Sequence, residues 1–277
     1  MTTIGALEDC LRRLPASDGV LVQIAETRGS TPREAGTWMV VWTDALTGTI
    51  GGGQLEFQAV TDARALLQGR AGAPAHDERR RYPLGPSLGQ CCGGVVFLRF
   101  QRIGAADAPE LGRQLAPELA PVALFGGGHV GVAIVRLLAT LPCAVHWIDS
   151  RDGVFPTALP AHVRTEFSDP VQAAVHDLAP ESRVLIMSFS HAEDPDIVIA
   201  CLERLRERGD LPYVGLIGSK TKWATFRHRL SARGFSAAEQ ARITCPIGIP
   251  GIAGKEPEVI AVAVAAQLLL GTLALSR

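Results

Sequence analysis

The sequence predicts an α/β protein in two parts: a small N-terminal α/β domain over residues 1–103 and a C-terminal domain with a parallel sheet over residues 121–277. Strands and helices alternate along the C-terminal part, a pattern that places helices on both faces of a parallel sheet. A glycine-rich turn follows the first strand of that part and opens its first helix. Residues 104–120 are rich in Ala, Pro and Gly and lack apolar periodicity, so we interpret them as a linker.

The N-terminal elements follow from apolar spacing and from turn residues. Residues 4–14 have the pattern of an amphipathic helix, which ends at Pro15 because proline cannot continue a helix. A second helix is predicted after a glycine-rich turn, where apolar residues recur near helical spacing. The predictions for this part are strands over 20–27, 36–43, 79–83 and 95–100, a continuation of the sheet at 49–50, and the second helix over 54–67.

The C-terminal elements alternate in type up to a last apolar helix that begins near residue 257. The predicted strands cover 122–125, 144–149, 163–167, 183–189 and 212–217, and the predicted helices cover 129–141, 170–178, 195–208 and 221–233. Because parallel strands end at one common edge of a sheet, ligands of such sheets bind beyond the carboxyl ends of the strands. We therefore look for site residues directly after each predicted strand.

The composition excludes several classes of protein. The chain has 277 residues, of which 47% are hydrophobic, and its formal net charge is −1. This near-neutral charge gives no indication of a nucleic-acid partner. The sequence contains six cysteines but no C-x-x-C pair, which argues against a disulfide framework and against a structural zinc site.

The segments that could direct the chain to a membrane have a different interpretation. The N-terminus lacks a basic segment followed by an apolar one, so no signal peptide is expected. The long apolar run from Val259 to Leu275 contains Gln267 and is shorter than the ~20 residues that span a bilayer. We interpret it as a buried or interfacial helix, and we expect a cytoplasmic protein without a membrane partner.

The glycine-rich turn of the C-terminal part has the spacing of a dinucleotide fingerprint. Gly126, Gly128 and Gly131 form G-x-G-x-x-G between a buried strand and a helix, which is the context that this motif requires. The glycines allow a tight turn, the approach of a diphosphate and close packing of helix on strand. The turn is therefore a candidate nucleotide or phosphate site, and the alternative is a glycine-rich packing turn that binds nothing.

An acidic residue ends the next predicted strand. Asp149 lies 23 residues after Gly126, close to the separation expected for the acid that binds a ribose hydroxyl. Ser150 and Arg151 follow it and would favour an added phosphate. The alternative for Asp149 is a cap of the following turn.

The N-terminal part contains two further candidate sites. Gly51, Gly52, Gly53 and Gln54 form a second glycine-rich turn that opens a helix, where exposed N–H groups would attract an anion. Arg28 and Arg33 are candidate phosphate ligands or solvated loop charges. The adjacent cysteines Cys91 and Cys92 lie in a Gly-flanked loop, and one thiolate is a candidate ligand for a soft metal. Free cysteines are also frequent as small buried hydrophobic residues.

Two more candidates follow later strands of the predicted parallel sheet. His191 and Asp194 come after the strand 183–189, and Ser219 and Lys220 come after the strand 212–217. Lys220 or the start of its helix is a candidate for holding a phosphate. His191 is a candidate acid, base or ligand. The alternatives are an N-cap for Asp194 and a hydrogen-bonding loop residue for His191.

Six segments in order resemble the XdhC/CoxI family, accessory proteins of xanthine dehydrogenase and related molybdenum hydroxylases. They are Glu26–Arg33, Ile50–Glu56, Leu88–Gly94, Leu124–Gly131, Tyr213–Lys220 and Pro246–Ile249. The resemblance covers nearly the whole chain. It implies a small α/β N-terminal domain followed by a Rossmann-like domain, commonly as a homodimer. One segment, 188–194, departs from the family pattern because it contains only the first of two expected histidines.

The resemblance implies a non-enzymatic role. Such proteins bind the molybdenum cofactor, a molybdopterin with a terminal phosphate, as cargo. They act as a chaperone that protects it while a cysteine desulfurase supplies the terminal sulfur, and they then insert it into apo-xanthine dehydrogenase. Cys91, Cys92 and the two glycine turns are the implied cofactor contacts, with Cys91 or Cys92 near molybdenum.

The alternative hypothesis is an NAD(P)-dependent oxidoreductase or a dinucleotide-sensing protein. It rests on Gly126–Gly131 and Asp149, and it would place His191 and Lys220 at the hydride-transfer site. Under either hypothesis the Rossmann-like domain is a possible nucleotide site.

Overall fold

The computed structural model describes residues 3–70, 76–84, 93–190 and 192–273. The chain forms two compact units, Met1–Pro117 and Glu118–Arg277. The first unit contains α1 (Thr3–Arg13), β1 (Gly19–Arg28), β2 (Trp38–Val41), β3 (Leu46–Gly48), α2 (Gly53–Leu67), β4 (Glu78–Pro83), β5 (Val95–Ile103) and α3 (Ala108–Gln114).

The first unit is built on a five-stranded antiparallel sheet with strand order β3-β2-β1-β5-β4. Successive side chains of β1 point to opposite faces, which divides the core in two. Val20 and Val22 pack with α2 residues such as Leu55, whereas Leu21 packs with Cys10 of α1 and Leu111 of α3. The sheet is therefore covered on both faces.

Helix α3 lies within the segment that we interpret from the sequence as a linker. Leu111 and Leu115 are spaced by one helical turn and are buried in the same cluster as α1. The helix has only seven residues, too few for an apolar periodicity that the sequence alone would reveal.

The second unit contains β6 (Ala120–Phe125), α4 (His129–Leu138), β7 (Cys143–Asp149), β8 (Val163–Phe167), β9 (Arg183–Ile186), α5 (Glu193–Glu207), β10 (Tyr213–Leu216), α6 (Lys220–Ala232), α7 (Ala237–Gln240), β11 (Ile243–Thr244) and α8 (Pro257–Leu273). Its six strands are all parallel, in the order β11-β10-β9-β6-β7-β8. This arrangement confirms the predicted Rossmann-like domain with a parallel sheet.

The strand order creates a switch point between β6 and β9. From β6 the chain builds outward through β7 and β8, and it then returns to the other side of β6 to build β9, β10 and β11. The connections after β6 and β9 therefore leave the sheet in opposite directions, and the crevice between them is where doubly wound sheets bind ligands. The central glycine turn follows β6 and lies at this crevice.

Three local predictions for the second unit were wrong. Residues Val171–Asp177 form a 3₁₀ helix instead of an α-helix, with Val171, Ala174 and Val175 buried. Strand β9 ends at Ile186, three residues earlier than predicted. The short α7 and β11 were not predicted, since four and two residues give no periodic signal.

The last helix, α8, contains the apolar run noted in the sequence. Ala261, Val264, Ala265 and Leu268 are buried in one cluster with residues of α4 and of the sheet. Val262 and Leu270 are exposed on the opposite side of the helix. In the described part of the chain, no helix combines the length and the apolar character needed to cross a bilayer.

Candidate functional site

The central glycine turn has the close backbone contacts that its spacing predicts. Gly126 has a φ of +127°, and a Cβ there would overlap the carbonyl oxygen of Met187. A Cβ at Gly131 would overlap the carbonyl oxygen of Gly126, so only glycine lets α4 pack this close to β6. These two residues therefore perform the turning and packing roles of the motif.

Gly128 performs the remaining role. It is the N-cap of α4, and a Cβ built on it would meet no atom within 4 Å. The first N–H groups of α4 follow directly, and they carry the partial positive charge of a helix start. The structure thus places Gly126, Gly128 and Gly131 in the geometry that a phosphate-binding turn requires.

Asp149, predicted to bind a ribose hydroxyl, is already saturated by its own chain. Its Oδ1 accepts hydrogen bonds from the N–H (2.9 Å) and the Nε (2.8 Å) of Arg151. Its Oδ2 accepts from Arg151 NH2 (2.9 Å) and from the N–H of Gly127 (2.5 Å). Asp149 is only 2% exposed. The acid therefore holds the glycine turn against the end of β7.

The electrostatics of Asp149 agree with this geometry. Burial alone would raise the pKa of Asp149, but the hydrogen bonds from Arg151 and from the backbone lower it below the ordinary value. The guanidinium of Arg151 also lies over the ring of Phe189, 4.2 Å from its centroid. Phe189 follows β9 and is 69% exposed. Asp149 thus binds the guanidinium of Arg151 through hydrogen bonds at its edge, and the ring of Phe189 stacks on the guanidinium face.

A second polar network joins the ends of β9 and β10. Asp194, 1% exposed in the first turn of α5, accepts hydrogen bonds from the N–H (3.1 Å) and hydroxyl (2.7 Å) of Ser188. Its other oxygen accepts from Lys222 Nζ at 3.0 Å. Asp194 is therefore not the N-cap of α5, which is Ala192. It joins the loop after β9 to the first turn of α6.

The two candidates after β10 have separate roles. Ser219 is the N-cap of α6, and its hydroxyl accepts a hydrogen bond from the N–H of Lys222 at 3.1 Å. Lys220 is the first residue of α6 and is exposed. The lysine that enters the buried network is Lys222, which sequence reasoning missed. His191 lies outside the described residues.

The second glycine turn, in the first unit, is also occupied by a carboxylate of the chain. Gly51, Gly52 and Gly53 all have positive φ, a run that side chains would strain. Oε2 of Glu56 accepts from the hydroxyl of Thr49 (2.5 Å) and from the N–H groups of Ile50 (3.1 Å) and Gly52 (3.2 Å). Gln54, the second residue of α2, is exposed. The turn thus binds an anion, and that anion is internal.

Three predicted segments of the first unit meet at one place. A Cβ on Gly51 would touch Pro32 and Arg33, each at 3.1 Å, which puts the turn against the loop 29–33. A Cβ on Gly29 would lie 3.3 Å from the Cα of Gly94. Gly93 and Gly94 directly follow Cys91 and Cys92, which lie outside the described residues. The loop 29–33 therefore contacts the glycine turn at its Pro32–Arg33 end and Gly94 at its Gly29 end.

The two arginines of this loop differ. Arg28 Nε donates to Glu26 at 2.7 Å, and its guanidinium lies 5.3 Å from the ring centroid of Phe97. Glu26 and Phe97 also contact Arg79. Arg33 is exposed, and its guanidinium forms no hydrogen bond or ion pair with the residues that the structure describes. Arg33 is therefore the arginine able to bind an external anion.

The four cysteines in the described ranges are not thiolates at neutral pH. Burial raises the pKa of Cys10 and of Cys245 to about 11, and that of Cys201 to about 12. Burial also raises the pKa of Cys143. A thiol is a poor metal ligand. Within the described parts of the chain no group of three or more His, Cys, Asp or Glu side chains is arranged to hold a metal ion.

Comparison with known proteins agrees with this geometry. The model of the XdhC Rossmann domain matches residues 122–268, and the model of the XdhC and CoxI family matches residues 16–82. The chain belongs to the XdhC family. Its second unit is therefore the XdhC Rossmann domain of that family, and the resemblance seen in the sequence motifs is confirmed.

Two similar proteins extend the comparison. The uncharacterized protein YqeB of Escherichia coli (strain K12) is 28% identical over 252 residues, which are 90% of this chain and 42% of that protein. The XdhC-family chain thus spans less than half the length of that curated relative. The crystal structure of a xanthine dehydrogenase (BH1974) from Bacillus halodurans has a TM-score of 0.77 and 18% identity, covering 99% of this chain and 96% of that one. At this identity the likeness shows a shared fold.

Proposed function

We propose that this chain is a xanthine dehydrogenase accessory protein that binds the molybdenum cofactor as cargo. It would protect the cofactor while a cysteine desulfurase adds the terminal sulfur, and then insert it into the apo-enzyme. Membership in the XdhC family supports the accessory role. The cargo has an anionic phosphate at one end and a molybdenum dithiolene at the other, so its site needs phosphate donors and, near the metal, a soft ligand.

The observation that carries this proposal is the meeting of three loops in the first unit. Arg33 lies beside Gly51, and the first N–H groups of α2 follow the same turn. An arginine beside the start of a helix suits a phosphate, because both provide positive charge and N–H donors. The end of the cysteine loop, at Gly93 and Gly94, is the third neighbour. The proposed thiol ligands precede Gly93 and Gly94 directly in the sequence.

The protonation of the cysteines supports the assignment of the metal contact. All four cysteines in the described ranges have a raised pKa, which disfavours them as ligands. A contact to molybdenum would therefore come from Cys91 or Cys92, which lie between glycines in the sequence. We propose that one of these two thiols binds or shields the metal.

The cargo itself provides the first test. The protein should be purified from a host that makes the cofactor, and released pterin and molybdenum should be quantified per chain. We expect near-stoichiometric amounts of both and activation of purified apo-xanthine dehydrogenase by the loaded protein. Protein that copurifies with neither pterin nor molybdenum, and that fails to activate the apo-enzyme, would refute the proposal.

Single substitutions locate the site. Arg33→Ala removes the free guanidinium and should weaken cofactor binding by about tenfold, the effect of one charge-assisted contact. Arg113→Ala, which removes an exposed arginine on α3 of the same unit, is the matched control and should bind normally. One of Cys91→Ala and Cys92→Ala should lower loading, whereas Cys245→Ala should not. Equal loading by all five variants would contradict the assigned site.

The homodimer belongs to the same proposal. Val262 and Leu270 are 53% and 60% exposed on α8, eight residues apart on one side of a helix without a charged residue after Glu258. Val262→Glu should therefore shift the mass measured by light scattering from two chains to one. A mass of one chain for the unmodified protein would remove the dimer from the proposal.

A dinucleotide-dependent activity is the second candidate function. The geometry of Gly126, Gly128 and Gly131 favours it, because that turn has every steric feature of the fingerprint. The bonds between Asp149 and Arg151 oppose it, since they occupy the acid that would hold the ribose. Titration with NADH and NADPH, followed by fluorescence, separates the two functions. Saturable binding of either nucleotide to protein that carries no pterin would favour the second.

A further inference from the structure

We propose that Arg151 is a selectivity gate in the second unit. Its guanidinium occupies the carboxylate that would otherwise bind a ribose hydroxyl, so this Rossmann-like unit excludes nicotinamide dinucleotides from their usual pose. The proposal concerns residues of the second unit only. It stands whether or not the first unit carries the molybdenum cofactor.

The remaining parts of a dinucleotide site are present. The turn lies at the switch point of a sheet with the order β11-β10-β9-β6-β7-β8. Gly126 and Gly131 make the close backbone contacts, and Gly128 leaves the start of α4 open. Asp149 ends the next strand, where the ribose-binding acid of this fold is found. A single feature, the state of Asp149, departs from the expected site.

Asp149 has no acceptor position left for a ribose. A carboxylate offers about four lone-pair positions, and Asp149 uses four, one for Gly127 and three for Arg151. The side chain is 1% exposed. A ribose hydroxyl could reach it only after the guanidinium had moved away.

Arg151 is also unavailable for the other known selectivity. An arginine after this strand can accommodate the 2′-phosphate of NADP. Here two of its guanidinium nitrogens face Asp149, and its plane is stacked on Phe189. The charges of Asp149 and Arg151 neutralise each other. The site therefore has no free carboxylate that would favour NAD and no free guanidinium that would favour NADP.

The energetics favour the closed state. Displacing Arg151 replaces two bonds between a guanidinium and a carboxylate with bonds from neutral hydroxyls, so the attraction between the two opposite charges is lost. Removing the side chain of Arg151 has the opposite effect. The N–H groups of residues 127 and 151 would still hold Asp149 in place, while the two positions used by the guanidinium would become available.

The test is a gain of binding. Purified full-length protein should be titrated with NADH and with NADPH by nucleotide fluorescence. We expect Arg151→Ala to bind NADH at least about tenfold more tightly than the unmodified protein does. It should also prefer NADH over NADPH by at least about tenfold, because the freed Asp149 repels a 2′-phosphate. The double variant Asp149→Asn/Arg151→Ala should lose this preference.

Three controls keep the test decisive. Arg136→Ala, at the far end of α4, should leave nucleotide binding unchanged. Arg151→Gln removes the charge but keeps an amide that can donate to Asp149, so it should show a smaller gain, and it replaces Arg151→Ala if that variant does not fold. Circular dichroism identifies the folded variants. The proposal is overturned if the unmodified protein already binds NADH as tightly as the variants, or if a folded variant gains neither affinity nor the preference for NADH.

Discussion

The two glycine turns of this protein resemble each other in sequence and differ in electrostatics. Each opens a helix, α2 after Gly51–Gly53 and α4 after Gly126–Gly128, and each is tied down by a carboxylate of the same chain. Glu56, half-buried, is held by two backbone N–H groups and a hydroxyl. Asp149, fully buried, is held by one N–H of its turn and by the charged side chain of Arg151.

The two turns differ in whether an arginine beside the turn is paired with the internal carboxylate or is available to an external anion. No cation contacts the carboxylate of Glu56 within the described residues, while the exposed Arg33 lies beside Gly51. At the other turn the guanidinium of Arg151 is bound by Asp149. At the first turn Glu56 occupies the N–H groups of Ile50 and Gly52, and the neighbouring Arg33 is the group available to an incoming phosphate, whereas at the second turn the guanidinium of Arg151 is already paired. Glycine spacing alone does not distinguish the two states.

The largest expected effect is a steric break of the second turn. Gly131→Ala places a Cβ on the carbonyl oxygen of Gly126 and should destabilise the second unit by more than about 3 kcal/mol. Gly128→Ala meets open space with an ordinary φ of −74° and should cost less than about 1 kcal/mol. Hydrogen exchange of α4 peptides measures both. Equal costs would show that α4 can shift away from β6.

The next effect compares the two carboxylates directly. Asp149→Ala leaves Arg151 and the N–H of Gly127 without their partner and should cost about 3 kcal/mol in the second unit, as expected for one half of a buried pair. Glu56→Ala removes hydrogen bonds from neutral donors to a half-exposed carboxylate and should cost about 2 kcal/mol in the first. Urea unfolding monitored by hydrogen exchange separates the two units. A larger loss for Glu56→Ala would reverse the comparison.

The smallest effect is a dependence on pH at the second turn. The pKa of Asp149 is lowered in the folded protein, because the bonds from Arg151 and the backbone outweigh burial. Its contribution to stability is therefore complete above the ordinary pKa of 3.8 and is lost as the pH falls through the lower folded value. The melting temperature of the unmodified protein should fall more steeply below about pH 4 than that of Asp149→Asn. Parallel curves for the two proteins would contradict the shift.

Much of the candidate site could be predicted from the sequence. Apolar runs and the turn residues between them indicate where both glycine turns lie. They also indicate the acid at the end of β7 and the polar residues after β9 and β10. The partners of these residues could not. Asp194 contacts Lys222, 28 residues later, instead of capping its own helix. The nearby Lys220, favoured by its place after the strand, remains outside that network.

The two-part α/β organisation and the places where backbone must pass close to backbone could be derived from the order of the residues alone. Both depend on local properties, the period of apolar residues and the absence of a Cβ. Which carboxylate is paired with an arginine depends on contacts that form on folding. Arg151 is two residues from Asp149, but its long side chain has many rotamers, and Phe189 of a distant loop stacks on the one that faces the acid. The choice of a rotamer depends on contacts between segments that only folding brings together.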